Sequence, residues 1–267
     1  VELLTEYLLR IPHGIERDLT RYTAFAVGVW LVLWITLGNL LAHRKIRESW
    51  PERQQLVSEF LHSLRSIAIF SVGSSIPWLL WRLDLLPWQE VNDRMTGASW
   101  FWGTVAVQIL VHDAYFYWVH RWMHQPRRFR LYHRRHHRSN NPSPFTAYSF
   151  DLREAAMMIL FIVLWEFLLP NANGATGVFI LIQLGKNTLA HSGFELMPAT
   201  RDGKPLLDFM TTTVHHDLHH RRAGTNFGLY FTWWDRWCGT EDPLYHQEFR
   251  RVVSQRRGAV TAPSLPA

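Results

Sequence analysis

The stretch that decides the fold is AFAVGVWLVLWITLGNLLA, residues Ala24–Ala42, set inside a run from Tyr22 to His43 that holds no Asp, Glu, Lys or Arg. At about 1.5 Å per residue such a run is long enough to cross about 30 Å of hydrocarbon as a helix. It starts too far into the chain and runs too long for a cleaved signal peptide. Four more uncharged runs follow, Ser66–Trp81, Met95–Val111, Ala155–Trp165 and Phe167–Gly185. The last two are separated by Glu166 and by the turn signal PNANG (Pro170–Gly174), so they are expected to form a helical hairpin. Tryptophan gathers at the ends of these runs, where a bilayer interface favours it.

The expected fold is all-α: a polytopic helical membrane protein with a cytoplasmic helical cap. Membrane helices are placed at about 23–42 and 66–83 within an N-terminal part, 1–94. A catalytic part follows over 95–249, and residues 250–267 are expected to be a disordered tail. Segments 43–65, 120–154 and 186–267 carry 23 of the 28 Lys and Arg, so the positive-inside rule puts them in the cytoplasm, in a bacterial inner membrane or one of endoplasmic-reticulum type. Stretch 120–138 has seven Arg and no acid. Beside a membrane helix it is expected to meet anionic lipid headgroups rather than nucleic acid. One cysteine, Cys238, excludes a disulfide framework, a CxxC zinc site and an iron–sulfur cluster.

The 15 histidines are not scattered. His120 and His124 form HxxxH, one helical face. His133, His136 and His137 form HxxHH, and so do His216, His219 and His220, each placing imidazoles at i, i+3 and i+4. One ion cannot readily take eight ligands, whereas two neighbouring ions can share them, and imidazole suits iron, zinc, copper or nickel. All three motifs fall on the predicted cytoplasmic side. His215 points about 100° away from the HxxHH face. His13, His43, His62, His112 and His246 fit no spacing and are expected to be structural or exposed, and Trp233, Trp234 and Trp237 to be interfacial anchors.

This set of motifs resembles the fatty acid hydroxylase superfamily, which includes sterol desaturases, sterol methyl oxidases and sphingolipid hydroxylases. The resemblance covers roughly residues 95–243. Asp113-AYFYWV-His120-Arg121 is similar to the family's D-x-x-x-Y-W-x-H-R. Asn187-TLA-His191-Ser-Gly193 is similar to N-x-x-x-H-x-G and adds a ninth histidine. Asn226-Phe-Gly228 and Trp234-DRWCG-Thr240 resemble the closing N-Y/F-G and W-D-x-x-x-G-T. The departures are Asp151-Leu152, where the family has His-Pro ahead of Glu154, and Asn187, where some members carry another histidine.

The resemblance implies a non-haem di-iron oxygenase: two Fe ions, replaceable by zinc in purified material, held by His120, His124, His133, His136, His137, His191, His216, His219 and His220. It implies hydroxylation or desaturation of a lipid C–H bond using O2. Asp113, two helical turns before His120, and Asp217 are expected to assist as carboxylates orienting ring N–H groups, with Asp151, Glu154 and Asp235 behind them. Electrons are expected from a separate cytochrome b5-like or ferredoxin-like protein. A zinc-dependent membrane hydrolase is disfavoured because no HExxH occurs, the residues between His120 and His124 being Arg-Trp-Met. A metal transporter or sensor is disfavoured because the ligands cluster beyond the ends of the spans.

Overall fold

The structure, a computed structural model, describes residues 1–255. The quoted apolar run belongs to a longer helix than the sequence marks. Helix α1 (Glu2–Tyr22) continues through a π-helical turn (Thr23–Val27), α2 (Gly28–Trp30) and a second π-helical stretch to Thr36. The result is one 35-residue helix, Glu2–Thr36. Its first turns are charged and half-exposed, and they are helical because their buried positions, Gly14, Asp18 and Tyr22, recur every fourth residue against a neighbour. The last residues of the apolar run leave the helix after Thr36 and turn into a 3-10 segment, Ala42–Arg44.

The neighbour is α3 (Arg53–Arg82), which runs antiparallel to α1 and starts well before the expected 66. Glu6 pairs with Arg82, Ser71 Oγ donates to Asp18 at 3.1 Å, and Tyr22 meets Phe60 with ring centroids 6.2 Å apart. The two helices are therefore stepped. The charged turns of α1 lie beside the apolar part of α3, and the apolar run after Tyr22 lies beside the polar beginning of α3. These two helices, Glu2–Thr36 and Arg53–Arg82, are the ones among the described residues long and apolar enough to cross a membrane.

After the short α4 (Gln89–Arg94) comes α5 (Ala98–Met123), then α6 (Pro126–Tyr132), the expected hairpin of α7 (Leu152–Leu168) and α8 (Ala175–Ala190), then α9 (Thr213–Arg222), α10 (Trp233–Trp237) and α11 (Tyr245–Val253). α11 carries the chain helically to Val253, into the stretch expected to be a tail, and residues 256–267 of that expectation lie outside the described residues. No strand longer than an isolated bridge occurs among the described residues.

α3 packs on both α1 and α7, and α5 packs on α8. At Gly73 an added Cβ would come within 2.5 Å of Ile159, so the closeness of α3 and α7 depends on that glycine. Tyr22, Ile67, Phe70, Tyr148, Phe150 and Leu184 form the core between these helices. The outer faces are apolar too. Leu31, Val32 and Ile35, Trp100 and Trp102 with Leu110 of α5, and Phe167 and Leu168 of α7 are all exposed. An apolar exterior on that scale marks an interaction surface rather than a water-facing one.

Candidate metal centre

α5 delivers the first pair. Its buried residues, Gln108, His112, Asp113, Tyr117, His120 and Met123 among them, follow the 3.6-residue period, so His120 lies on a face already committed to the core, and His124 ends the helix. Pro126 opens α6, and His133 closes it. His136 and His137 then sit in a 3-10 turn rather than on the regular helix their spacing predicts. The i, i+4 relation survives, because the N–H of His137 donates to the carbonyl of His133 at 3.3 Å. α9 carries His216, His219 and His220. It is fixed at its start by Thr212, whose hydroxyl accepts from the N–H of His215, and by Glu195, whose carboxylate accepts from the N–H of Val214 at 2.8 Å. His191 follows the last residue of α8.

All nine imidazoles converge, in two sets. His120, His124, His133, His137 and His219 form one, and His136, His191, His216 and His220 the other, with the ligand atoms of each set within 4.8 Å of one another. The sets are adjacent: His133 and His136 have ring centroids 5.0 Å apart, and His137 and His220 4.9 Å. His124 and His137 are half-buried and the other seven are buried.

The hydrogen bonding decides what these rings are for. Nδ1 of His120 donates to the carbonyl of Phe227 (2.9 Å), Nδ1 of His191 to that of Asn187 (2.7 Å), and Nδ1 of His219 to that of Thr225 (2.7 Å). A carbonyl only accepts, so in each neutral ring Nε2 presents a lone pair. Nε2 of His191 nevertheless faces Nε2 of His216 at 2.9 Å and those of His136 and His220 at 3.2 Å. Nε2 of His120 faces that of His133 at 3.0 Å, and Nε2 of His137 faces that of His219 at 3.0 Å. Nε2 atoms aimed at one another at these distances are an arrangement that cations between them would satisfy. The spacing agrees: two nitrogens about 2.1 Å from one ion and at right angles around it lie about 3.0 Å apart. The residues therefore fit two metal ions. Burial, followed by the neighbouring imidazoles, pushes His133, His136, His216, His219 and His220 well below the usual histidine range, and burial brings His137 to about 3. At neutral pH their lone pairs are free for metal.

The expected carboxylates are employed elsewhere. Asp113 accepts from the backbone N–H groups of Tyr230 (3.1 Å) and Phe231 (3.3 Å) and from Nε1 of Trp233 (2.7 Å). Asp217 pairs with Arg47 at 2.7 Å and with Arg221. Neither orients an imidazole of the two sets. α5 packs against the 227–233 segment at the level of Asp113, and the buried carboxylate of Asp217 is taken up by its two arginines. The carboxylate that does meet a ring is Glu154, 2.6 Å from Nδ1 of His133.

The remaining orienting groups are carbonyls that spacing alone did not identify. Two of them come from the loop around Asn226, whose side chain donates to the carbonyl of His215 and accepts from the N–H of Asp242. Asp235 holds the same loop through the N–H groups of Phe227 and Gly228, both at 2.8 Å. A Cβ at Gly228 would come within 2.6 Å of the carbonyl of Phe231, so only glycine fits there. His215 faces Asp235 at 3.6 Å, away from both sets. Trp237 is exposed as an anchor would be, but Trp233 is tied to Asp113 and Trp234 stacks on Tyr117.

An apolar cavity lies near the imidazoles, between α1, α3, α5, α7 and α8. Phe116 in its wall lies 5.0 Å from the His120 ring and Phe150 lies 5.3 Å from the His136 ring, centroid to centroid.

Comparison with known proteins agrees with this architecture. The chain is 28% identical over 271 residues to a Delta(7)-sterol 5(6)-desaturase of Gibberella zeae, covering 95% of this chain and 81% of that protein. It is 24% identical to the lathosterol oxidase of Mus musculus, over 68% of this chain and 62% of that one. It is also 24% identical to a very-long-chain aldehyde decarbonylase of Oryza sativa subsp. japonica, over 94% of this chain but 40% of the relative. No solved structure matches it. The sequence model of the fatty acid hydroxylase family matches residues 105–240, the part that carries all nine imidazoles and the loop that orients them, and the chain belongs to that family.

Proposed function

We propose that this protein is an integral-membrane, non-haem di-iron oxygenase that hydroxylates or desaturates a C–H bond of a lipid. The observation that carries the reading is the convergence of nine neutral imidazoles on two adjacent points beside an apolar cavity. His120, His124, His133, His137 and His219 would hold one ion, and His136, His191, His216 and His220 the other. Two irons in an all-nitrogen site supply the activation of O2 needed to remove hydrogen from an unactivated carbon, which no side chain can do. The relatives named for sterol desaturation, lathosterol oxidation and aldehyde decarbonylation all act on lipids by name, and this supports the substrate class.

The chain's own contribution is orientation and exclusion of water. Glu154 and the carbonyls of Thr225, Phe227 and Asn187 each fix the proton of one imidazole on Nδ1, which aims Nε2 inward. Phe116 and Phe150 line the cavity and touch the rings of His120 and His136, so a hydrocarbon chain held there would be brought close to the imidazoles. The skew of Lys and Arg supports a cytoplasmic site. The arginines of 121–138 form a basic surface on which a separate acidic electron donor, cytochrome b5-like or ferredoxin-like, can dock.

The test is lipid analysis of membranes with and without the protein, in air and under anaerobiosis. A lipid gaining one oxygen or losing two hydrogens only in air and only with the protein is the expected result. A product formed equally without O2 would overturn the oxygenase reading.

A further inference from the structure

The cavity beside the imidazoles has one polar end, built mostly by α1 and α3, which lie outside the residues matching the family. Arg17, Asp18 and Arg21 of α1, Ser74 of α3 and Gln183 of α8 line it. Along each helix these residues lie further from the imidazoles than the apolar lining. Ser74 is one turn beyond Phe70, and Gln183 is one turn before Asn187, whose carbonyl holds His191.

The polar residues are tied together. Asp18 is buried and accepts from Nε of Arg17 (3.0 Å), from Nη1 of Arg21 (3.3 Å) and from the hydroxyl of Ser71 (3.1 Å). Arg17 also donates to Ser74 at 3.1 Å. Two guanidinium groups thus share one carboxylate, which leaves one net positive charge. Arg21 spends one of its five N–H groups on Asp18. The cluster lies level with the apolar middle of α3, where ionisable groups are costly and are retained for a role.

We propose that Arg17 and Arg21, braced by Asp18, receive the carboxylate of a long-chain lipid whose hydrocarbon fills the cavity and whose distal carbons lie against Phe116 and Phe150. Spare donors and a surplus positive charge match an anionic oxygen pair better than a hydroxyl or an ester. The proposal deepens the oxygenase reading by naming the substrate's polar end, and under that reading oxidation falls far from the carboxylate.

Binding is measured without turnover, on the full-length metal-loaded protein in detergent, by native mass spectrometry with palmitate, hexadecanol and methyl palmitate. The wild type is expected to bind palmitate about tenfold or more tightly than either neutral analogue. Arg17→Gln and Arg21→Gln each remove that preference while leaving hexadecanol binding within about twofold, and Arg21→Lys retains most of it. Ile180→Trp, which fills the cavity, weakens all three ligands. Equal binding of the three lipids by the wild type overturns the proposal. So does a palmitate preference that survives in the double variant Arg17→Gln/Arg21→Gln, or undiminished binding in Ile180→Trp, which would put the lipid outside the cavity. A carboxylate preference in a protein that makes no O2-dependent product would leave this site standing and remove the oxygenase reading, and the converse outcome would do the reverse.

Discussion

The two imidazole sets are built from the same motifs and differ in how much they depend on one residue. In the four-membered set, three rings present Nε2 to Nε2 of His191 at 2.9 to 3.2 Å, so His191 is its hub. It is also the ring of that set held by a side-chain-independent contact, to the carbonyl of Asn187. In the five-membered set, two separate Nε2 contacts and three rings oriented through Nδ1 share the work. The difference teaches that ligand count and ligand dependence are separate properties. With one ion in each, the four-membered set would have no ligand in reserve and the five-membered set would have one.

The largest expected effect follows directly. His191→Ala should abolish turnover and lower the metal content from two ions per chain to one, read by elemental analysis of the purified protein. His124→Ala leaves four nitrogens in its set. It should keep nearly two ions per chain while turnover falls by about 10–100-fold. If both variants lose a full equivalent of metal, the contrast between the sets is wrong.

Glu154→Gln comes next. It keeps an acceptor for His133 but removes the negative charge, and metal affinity of the five-membered set should weaken by about 10–100-fold, measured by competition with a chelator. Asp113→Asn sharpens the comparison from outside the site. Its buried oxygens hold two backbone N–H groups and the indole of Trp233, so it should cost about 1–3 kcal/mol of stability in denaturant unfolding and leave metal affinity unchanged. The smallest effect belongs to His246→Ala. His246 pairs with half-exposed Asp208, away from both sets, and its loss should leave turnover within about twofold.

Eight of the nine histidines that the fold brings together were legible as local spacings, and His191 came from the resemblance to the family. Spacings of three and four residues put side chains together whatever the rest of the chain does, even where, as at His136 and His137, the local helix is 3-10. The α7–α8 hairpin was legible for the same reason, its turn being written in Pro170–Gly174. What depends on distant packing was not. Asp113 sits on the His120 face of α5, but the segment that packs there is 227–233, which takes up its oxygens. Glu154 was one candidate carboxylate among several until the fold brought it to His133 across 21 residues. The charged first turns of α1 read as an extension before the apolar run. Only their pairing with α3 shows that Arg17, Asp18 and Arg21 face a cavity.

The central claim is that one chain holds two metal ions by nitrogen alone. The direct measurement is the iron and zinc content per chain of protein purified from iron-supplied cells, combined with X-ray absorption at the metal edge. Two ions per chain are expected at saturation, surrounded by light ligands with imidazole scattering at about 2.0–2.1 Å. One ion or none per chain at saturating iron, or a sulfur shell around the metal, would contradict it.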